Sequence, residues 1–263
     1  MQVAVLGAGY AGLAVARRLE SALPEDVSLV VVDERDHHLV QHELHRVIRR
    51  PEMTDRITVP LETVLDRASH RRARVTAIDP DTGTVTLANG ELAADYGALC
   101  LGATTAFYDL PGLADHALPL KTLAHARDIR EAALSTMAAG GRLVVGGAGL
   151  SGLQVAGELH ALAVAEGTRD AVEIALLEQR DAVAPTFPEP FQRAVQEELE
   201  DRDFDVRTGT TVQGADANEV HLATGSLPYG TFVWTGGIQG SSAVGATRPT
   251  VRATLRLGAR MVA

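Results

Sequence analysis

Apolar and polar positions alternate between two regimes along this chain. Residues 3–6 (VAVL) carry no polar position, which predicts a short strand buried on both faces, and residues 10–22 follow with helical spacing. Residues 27–33 (VSLVVVD) predict a second buried strand that ends on an acid, completing a βαβ unit. Residues 37–70 read as helical and irregular, interrupted by prolines at 51 and 60. The stretch RVTAIDPDTGTVTLANGE at 74–91 alternates around Asp-Pro-Asp-Thr-Gly and predicts a hairpin or short meander. Residues 96–104 (YGALCLGAT) predict another buried strand leading into small residues.

The regime then repeats. After a connector at 111–121 and a helix at 122–138, a second strand–turn–helix begins at Arg142. VEIALLEQ at 172–179 again carries an acid at its end, and residues 187–204 have the spacing of an amphipathic helix. Strands are expected at 205–213 and 219–223, and FVWTGG at 232–237 is an apolar strand closing on paired glycines. The last 26 residues are basic and low in pattern.

The repeat is literal at its turns. Moved by 140 positions, residues 3–19 match residues 143–159 at nine of seventeen places, including all three glycines of a G-x-G-x-x-G. In that motif one glycine makes the tight turn, one lets backbone approach a pyrophosphate, and one permits close helix–strand packing. The helix N-terminus adds unpaired N–H groups and a positive dipole end. Gly7, Gly9 and Gly12 form the first set, with Asp33 lying 21 residues past Gly12. Gly147, Gly149 and Gly152 form the second, with Glu178 lying 26 residues past Gly152. A carboxylate at that place accepts ribose hydroxyls and repels a 2′-phosphate. Arg35 and Arg180 follow two positions later and could tolerate such a phosphate, so NADH is preferred over NADPH without excluding it. Two dinucleotide sites in one chain imply electron relay between two bound cofactors.

Composition narrows this picture. Hydrophobic residues make up 46% and charged residues 22%, the balance of a globular protein. The net charge of −10 argues against a nucleic-acid partner, and Lys121 is the sole lysine. Cys100 is the sole cysteine, which excludes an intramolecular disulfide or dithiol pair and reads as a small core residue. No apolar run approaches the roughly 18 residues that span a bilayer, and no basic leader precedes Val3, so cytoplasmic placement is expected. His37, His38, His42 and His45 invite a metal reading, since His38 and His42 have ligand-like spacing. No acid–cysteine set completes a coordination sphere, and no metal site is expected.

Taken together, several segments resemble the flavoproteins with two dinucleotide-binding domains, and most closely the type II NADH dehydrogenases. They are VAVLGAGYAGLAVARRL, DERDHHLVQHELHRVI, ITVPLETVL, LCLGATT, PGLADHALPLKTLAHARDIR, GGAGLSGLQVAGEL and FVWTGG. The resemblance implies an α/β fold of two Rossmann-like domains, an NAD(P)H-binding domain at 112–238 inserted in an incomplete FAD-binding domain at 1–111 and 239–263. It implies FAD on the first turn, its pyrophosphate over Gly7, Gly9 and Gly12 and its ribose on Asp33. Val75 would pass the adenine edge, and Gly102 and Ala103 would lie near the flavin diphosphate. NADH would sit on the second turn with its ribose on Glu178 and its nicotinamide against the flavin, bordered by Gly236 and Gly237.

Such proteins pass a hydride from NADH to flavin and electrons onward to a quinone or other small acceptor. Gln154 departs from the pattern, since members often carry a glutamate there; its amide is the one candidate for a catalytic side chain. The resemblance also implies peripheral contact with the cytoplasmic face of a membrane through C-terminal helices, and it is compatible with a homodimer. The 263 residues give no counterpart of those helices, and RPTVRATLRLGARMVA ends where a Gly-Asp closing the flavin site would be expected. The expected function is that of an NADH-oxidising flavoprotein, the chain being either a fragment of a longer protein or a C-terminally shortened relative with weakened flavin binding. A dinucleotide-binding module without turnover, and a ferredoxin or rubredoxin reductase, are the alternatives.

Overall fold

A computed structural model describes residues 1–245; the basic final segment, the expected Gly-Asp position and most of the proposed return at 239–263 lie outside the described residues. In chain order the first half comprises β1 (Gln2–Leu6), α1 (Tyr10–Ala22), β2 (Ser28–Asp33), β3 (His37–Leu39) and α2 (Arg46–Arg49). Next come α3 (Thr54–Ile57), β4 (Thr58–Pro60), β5 (Ser69–Arg72), β6 (Val75–Asp79), β7 (Thr84–Leu87), β8 (Gly90–Ala93), β9 (Tyr96–Leu99) and β10 (Ala103–Thr105). The second half comprises α4 (Leu113–His116), β11 (Leu118–Pro119), α5 (Leu123–Ala139), β12 (Arg142–Gly146), α6 (Leu150–Ala165), β13 (Glu173–Leu177) and α7 (Glu189–Glu200). It closes with β14 (Asp205–Arg207), β15 (Val212–Ala215), β16 (Glu219–Leu222), β17 (Gly225–Pro228), β18 (Thr231–Trp234), β19 (Ile238–Gly240) and α8 (Ser242–Gly245).

Two parallel sheets organise these elements. The first has the order β5-β2-β1-β9 and the second β11-β18-β12-β13-β14. In each, the glycine-loop strand (β1 or β12) lies between the acid-bearing strand and a strand that arrives much later in sequence. The point where the order reverses is the place where open α/β sheets form a ligand crevice. The unbroken apolar runs follow from burial on both faces: Ala4, Val5, Val31 and Val32 are fully buried, as are Leu143, Val144, Ile174 and Ala175. Antiparallel three-stranded sheets, β6-β7-β8 and β15-β16-β17, stand on the two halves.

Three local expectations need revision. The segment 37–70 is not only helical and irregular: β3 and β4 pair antiparallel within it, and β5, which begins at Ser69, pairs in parallel with β2 as the outer strand of the first sheet. The expected meander at 74–91 forms but runs on to Ala93, because β8 pairs with β7 across the two-residue turn Ala88–Asn89. The strand expected to be buried at 96–104 is an edge. Its Tyr96 is 65% exposed and Leu99 54% exposed, since among the described residues β9 is paired only to β1.

The two halves are joined by packing as well as by chain. One core contains Leu39, Leu44, Val47, Ile48 and Ile57 from the first half and Ile129, Val155 and Leu159 from α5 and α6. The Arg49 guanidinium donates to Glu158 of α6 at 2.6 Å, and Arg130 of α5 donates to the carbonyls of Ile48 and Arg49. The two connections between the halves meet in an antiparallel ribbon in which Ala103 pairs with Gly240 and Thr105 with Ile238.

Candidate dinucleotide sites

Each glycine loop is built to one plan. Gly7 and Gly147 have φ of 104° and 97°, left-handed conformations that glycine adopts without a Cβ penalty. A side chain on Gly7 would strike the Cys100 carbonyl, and one on Gly147 would press on Gly236. The third glycines are packing positions: a Cβ on Gly12 or Gly152 would overlap the carbonyl of Gly7 or Gly147. The middle glycines differ. Positions beside Gly9 and Gly149 are open to 4 Å, and both residues begin their helices with no side chain capping the first turn. An open cradle with free helix N-terminal N–H groups fits a pyrophosphate.

The acids close each cradle. Asp33 is 8% exposed; its Oδ2 accepts the Ala8 N–H at 2.7 Å and its Oδ1 accepts the Arg35 N–H at 2.9 Å. Glu178 is 7% exposed; its Oε2 accepts the Ala148 N–H at 2.9 Å and its Oε1 the Arg180 N–H at 3.0 Å. Each carboxylate is held by one loop amide and by the amide two residues downstream, with further lone pairs left for sugar hydroxyls. The Arg35 side chain turns back to Asp33 at 3.4 Å, while Arg180 is exposed.

The remaining candidate residues distribute around these cradles. Gly102 lies with Gly9, Arg35 and Cys100 on a cavity of about 370 Å³. Gly236 lies with Gly147, Glu178, Trp234 and Tyr108 on one of about 340 Å³. The two sets are topological equivalents, because Gly102 follows the strand beside β1 and Gly236 the strand beside β12. Gly237 packs on the Tyr108 hydroxyl. Ala103 is exposed and engaged through its backbone in the ribbon. Val75 turns its side chain into a core with Ala4, Leu6 and Val30, so only its backbone is free to meet an adenine. Gln154 is half-buried on α6, and no described hydrogen bond uses its amide.

The histidines have other occupations. His38 Nδ1 meets the Ala8 carbonyl at 3.0 Å, His37 meets Asp36 at 2.9 Å, and His42 meets the Tyr10 hydroxyl at 2.7 Å. No set of three or more His, Cys, Asp or Glu side chains is placed to hold a metal among the described residues. Burial raises the Cys100 thiol above its ordinary value. Sequence reasoning missed Tyr108, which borders the second cavity and, with Asp109, has a positive φ. Asp109 is a residue type that tolerates such a backbone, but Tyr108 carries no signal of it.

The model of the pyridine nucleotide-disulphide oxidoreductase family matches residues 1–251. The chain belongs to this family. A type II NADH:quinone oxidoreductase of Staphylococcus aureus is 28% identical over 262 residues, which cover 91% of this chain and 65% of that protein. The chain therefore spans just under two thirds of the length of this relative. NDH2 of Plasmodium falciparum, solved in complex with NADH, superposes with a TM-score of 0.82 at 16% identity over 92% of this chain and 56% of its own. The sulfide:quinone oxidoreductase of Aquifex aeolicus gives 0.80 at 20% identity over 93% and 60%. At these identities the structures establish the fold, a Rossmann-like α/β architecture of parallel sheets. Within these 263 residues the disulphide of the family's name has no counterpart, since Cys100 stands alone.

Proposed function

We propose that the chain is the dinucleotide-binding part of an FAD-dependent NADH oxidoreductase. The observation that carries the reading is the duplicated latch, Ala8 N–H on Asp33 and Ala148 N–H on Glu178, each beside an open middle glycine. Residues 1–111 and 239–263 are assigned to the FAD domain and 112–238 to the NAD(P)H domain. Gly7, Gly9, Gly12 and Asp33 would hold FAD, with Val75 backbone at the adenine and Gly102 and Ala103 toward the flavin. Gly147, Gly149, Gly152 and Glu178 would hold NADH, with Gly236 and Gly237 beside the nicotinamide. When bound, the flavin supplies the hydride-accepting ring.

The chain's own residues bind and orient. Glu178 grips a ribose and, by its charge, disfavours a 2′-phosphate; exposed Arg180, two residues on, would relax that choice. Gln154, half-buried on the helix that begins at Gly149, offers a neutral amide in place of a proton donor. The quinone acceptor and peripheral membrane contact are carried over from the Staphylococcus aureus relative, and no helix among the described residues is long and apolar enough to cross a membrane.

The test is the purified protein reconstituted with FAD. One flavin per chain that bleaches anaerobically on adding NADH supports the reading. Colourless protein that still binds NADH supports a second reading, a module without turnover. The exposure of Tyr96 and Leu99 favours that second reading, because no strand among the described residues pairs with the outer edge of β9.

A further inference from the structure

The residue between the first two motif glycines is held at both its N–H and its carbonyl in each cradle, but by different chemistry. Its N–H is latched by the acid: Ala8 to Asp33, Ala148 to Glu178. Its carbonyl is latched from the segment that follows the acid. In the second cradle the Ala184 N–H donates to the Ala148 carbonyl at 2.9 Å, with Ala184 buried at a φ of 48°. In the first cradle no backbone amide does this. The buried His38 ring takes the place, its Nδ1 lying 3.0 Å from the Ala8 carbonyl. A carbonyl only accepts, so Nδ1 carries the hydrogen.

The latch sets the direction of a phosphate ligand. Peptide planarity points the N–H of the next residue opposite to its carbonyl. Drawing the Ala8 carbonyl toward His38 therefore turns the Gly9 N–H away from His38, at a residue where an added Cβ would meet nothing within 4 Å. Neither Gly9 nor Gly149 N–H has a partner among the described hydrogen bonds. We propose that His38 is a positioning residue of the first cradle, its side chain fixing the Ala8–Gly9 peptide so that the Gly9 N–H meets the dinucleotide phosphates. Ala184 does the same for the second cradle through backbone alone. The assignment rests on the reading of FAD in the first cradle and NADH in the second.

The experiment measures FAD and NADH dissociation constants separately for wild type, His38→Leu and His38→Asn. Leucine removes the donor and leaves the Ala8 carbonyl buried, so FAD binding should weaken roughly tenfold or more. NADH binding should stay within about twofold, since its latch is untouched. Asparagine places an amide N–H where Nδ1 stood and should restore most of the lost affinity. A purely structural role for His38 would lower both affinities together and show no rescue. Unchanged FAD binding in His38→Leu, a parallel loss on NADH, or failure of asparagine to rescue each overturns the proposal while wild type still binds both cofactors. Wild type that binds no FAD overturns the two-cofactor reading and this inference with it.

Discussion

The three glycines of each motif divide their work in a way that substitutions should separate. A methyl group on Gly12 collides with the Gly7 carbonyl, so Gly12→Ala should destabilise the fold by roughly 2 kcal/mol or more through overpacking. Gly9 has φ of −72°, unstrained for any residue, and open space beside it. Gly9→Ala should cost under about 1 kcal/mol as a helix cap, yet largely abolish FAD binding by filling the phosphate space. Thermal melting alongside flavin titration distinguishes the two outcomes. Glu178 makes a parallel case: Glu178→Ala leaves the Ala148 N–H buried without an acceptor. NADH affinity should fall at least roughly tenfold while FAD retention is unaffected. Equal loss of both cofactors in a binding assay would contradict the separate-cradle arrangement. The glycines and acids were legible because their spacing is local. Tyr108, Ala184 and the role of His38 were not, since a positive φ or a contact 30 residues away leaves no local spacing to read.

The elements that hold the cradles in place are less regular than the cradles. Residues 37–57 form short pieces that pack on α5 and α6, with Arg49 and Glu158 paired where the apolar contact ends. Glu158 is largely buried and Arg49 about one-third exposed, so Glu158→Ala should lose roughly 2 kcal/mol, visible as a lower urea midpoint. On α1, the Glu20 carboxylate takes three backbone N–H bonds from residues 66–68, pinning the loop that leads into β5. Burial alone would raise its pKa; the three amides outweigh that and lower it. Polar residues disguised β5 in the sequence because an outer strand is only partly buried, and its apolar signal is correspondingly weak. The edge strand β9 misled in the other direction, its apolar letters reading as burial that pairing with β1 alone does not provide.

At the scale of the molecule, burial of imidazoles makes stability depend on pH. Burial holds the imidazoles of His45, His125 and His160 below the ordinary value of 6.5, although Glu158 and Glu43 partly offset this at His45. The unfolded chain then binds more protons than the folded one once pH falls below about 6.5. Stability from these groups is present above that pH and lost as pH falls toward the lowered folded values. The carboxylates with lowered pKa, among them Glu20, lose their contribution only below about pH 4.5. A melting series from pH 7.5 to 5.5 should therefore show a falling Tm, and His45→Gln should flatten part of the slope. A flat profile in wild type would refute the burial argument.

The sequence by itself determined the two parallel-sheet units, the paired glycine loops, the acids that follow them and the absence of a cysteine pair within its 263 residues. These are set by neighbours along the chain, where periodicity, turn geometry and motif spacing act over a few ångströms. Tertiary structure alone decided which strand lies beside each glycine loop, which face of β9 stays open and which side chain latches the Ala8 carbonyl. Those outcomes depend on contacts between segments tens of residues apart, whose energies exist only once the chain has closed.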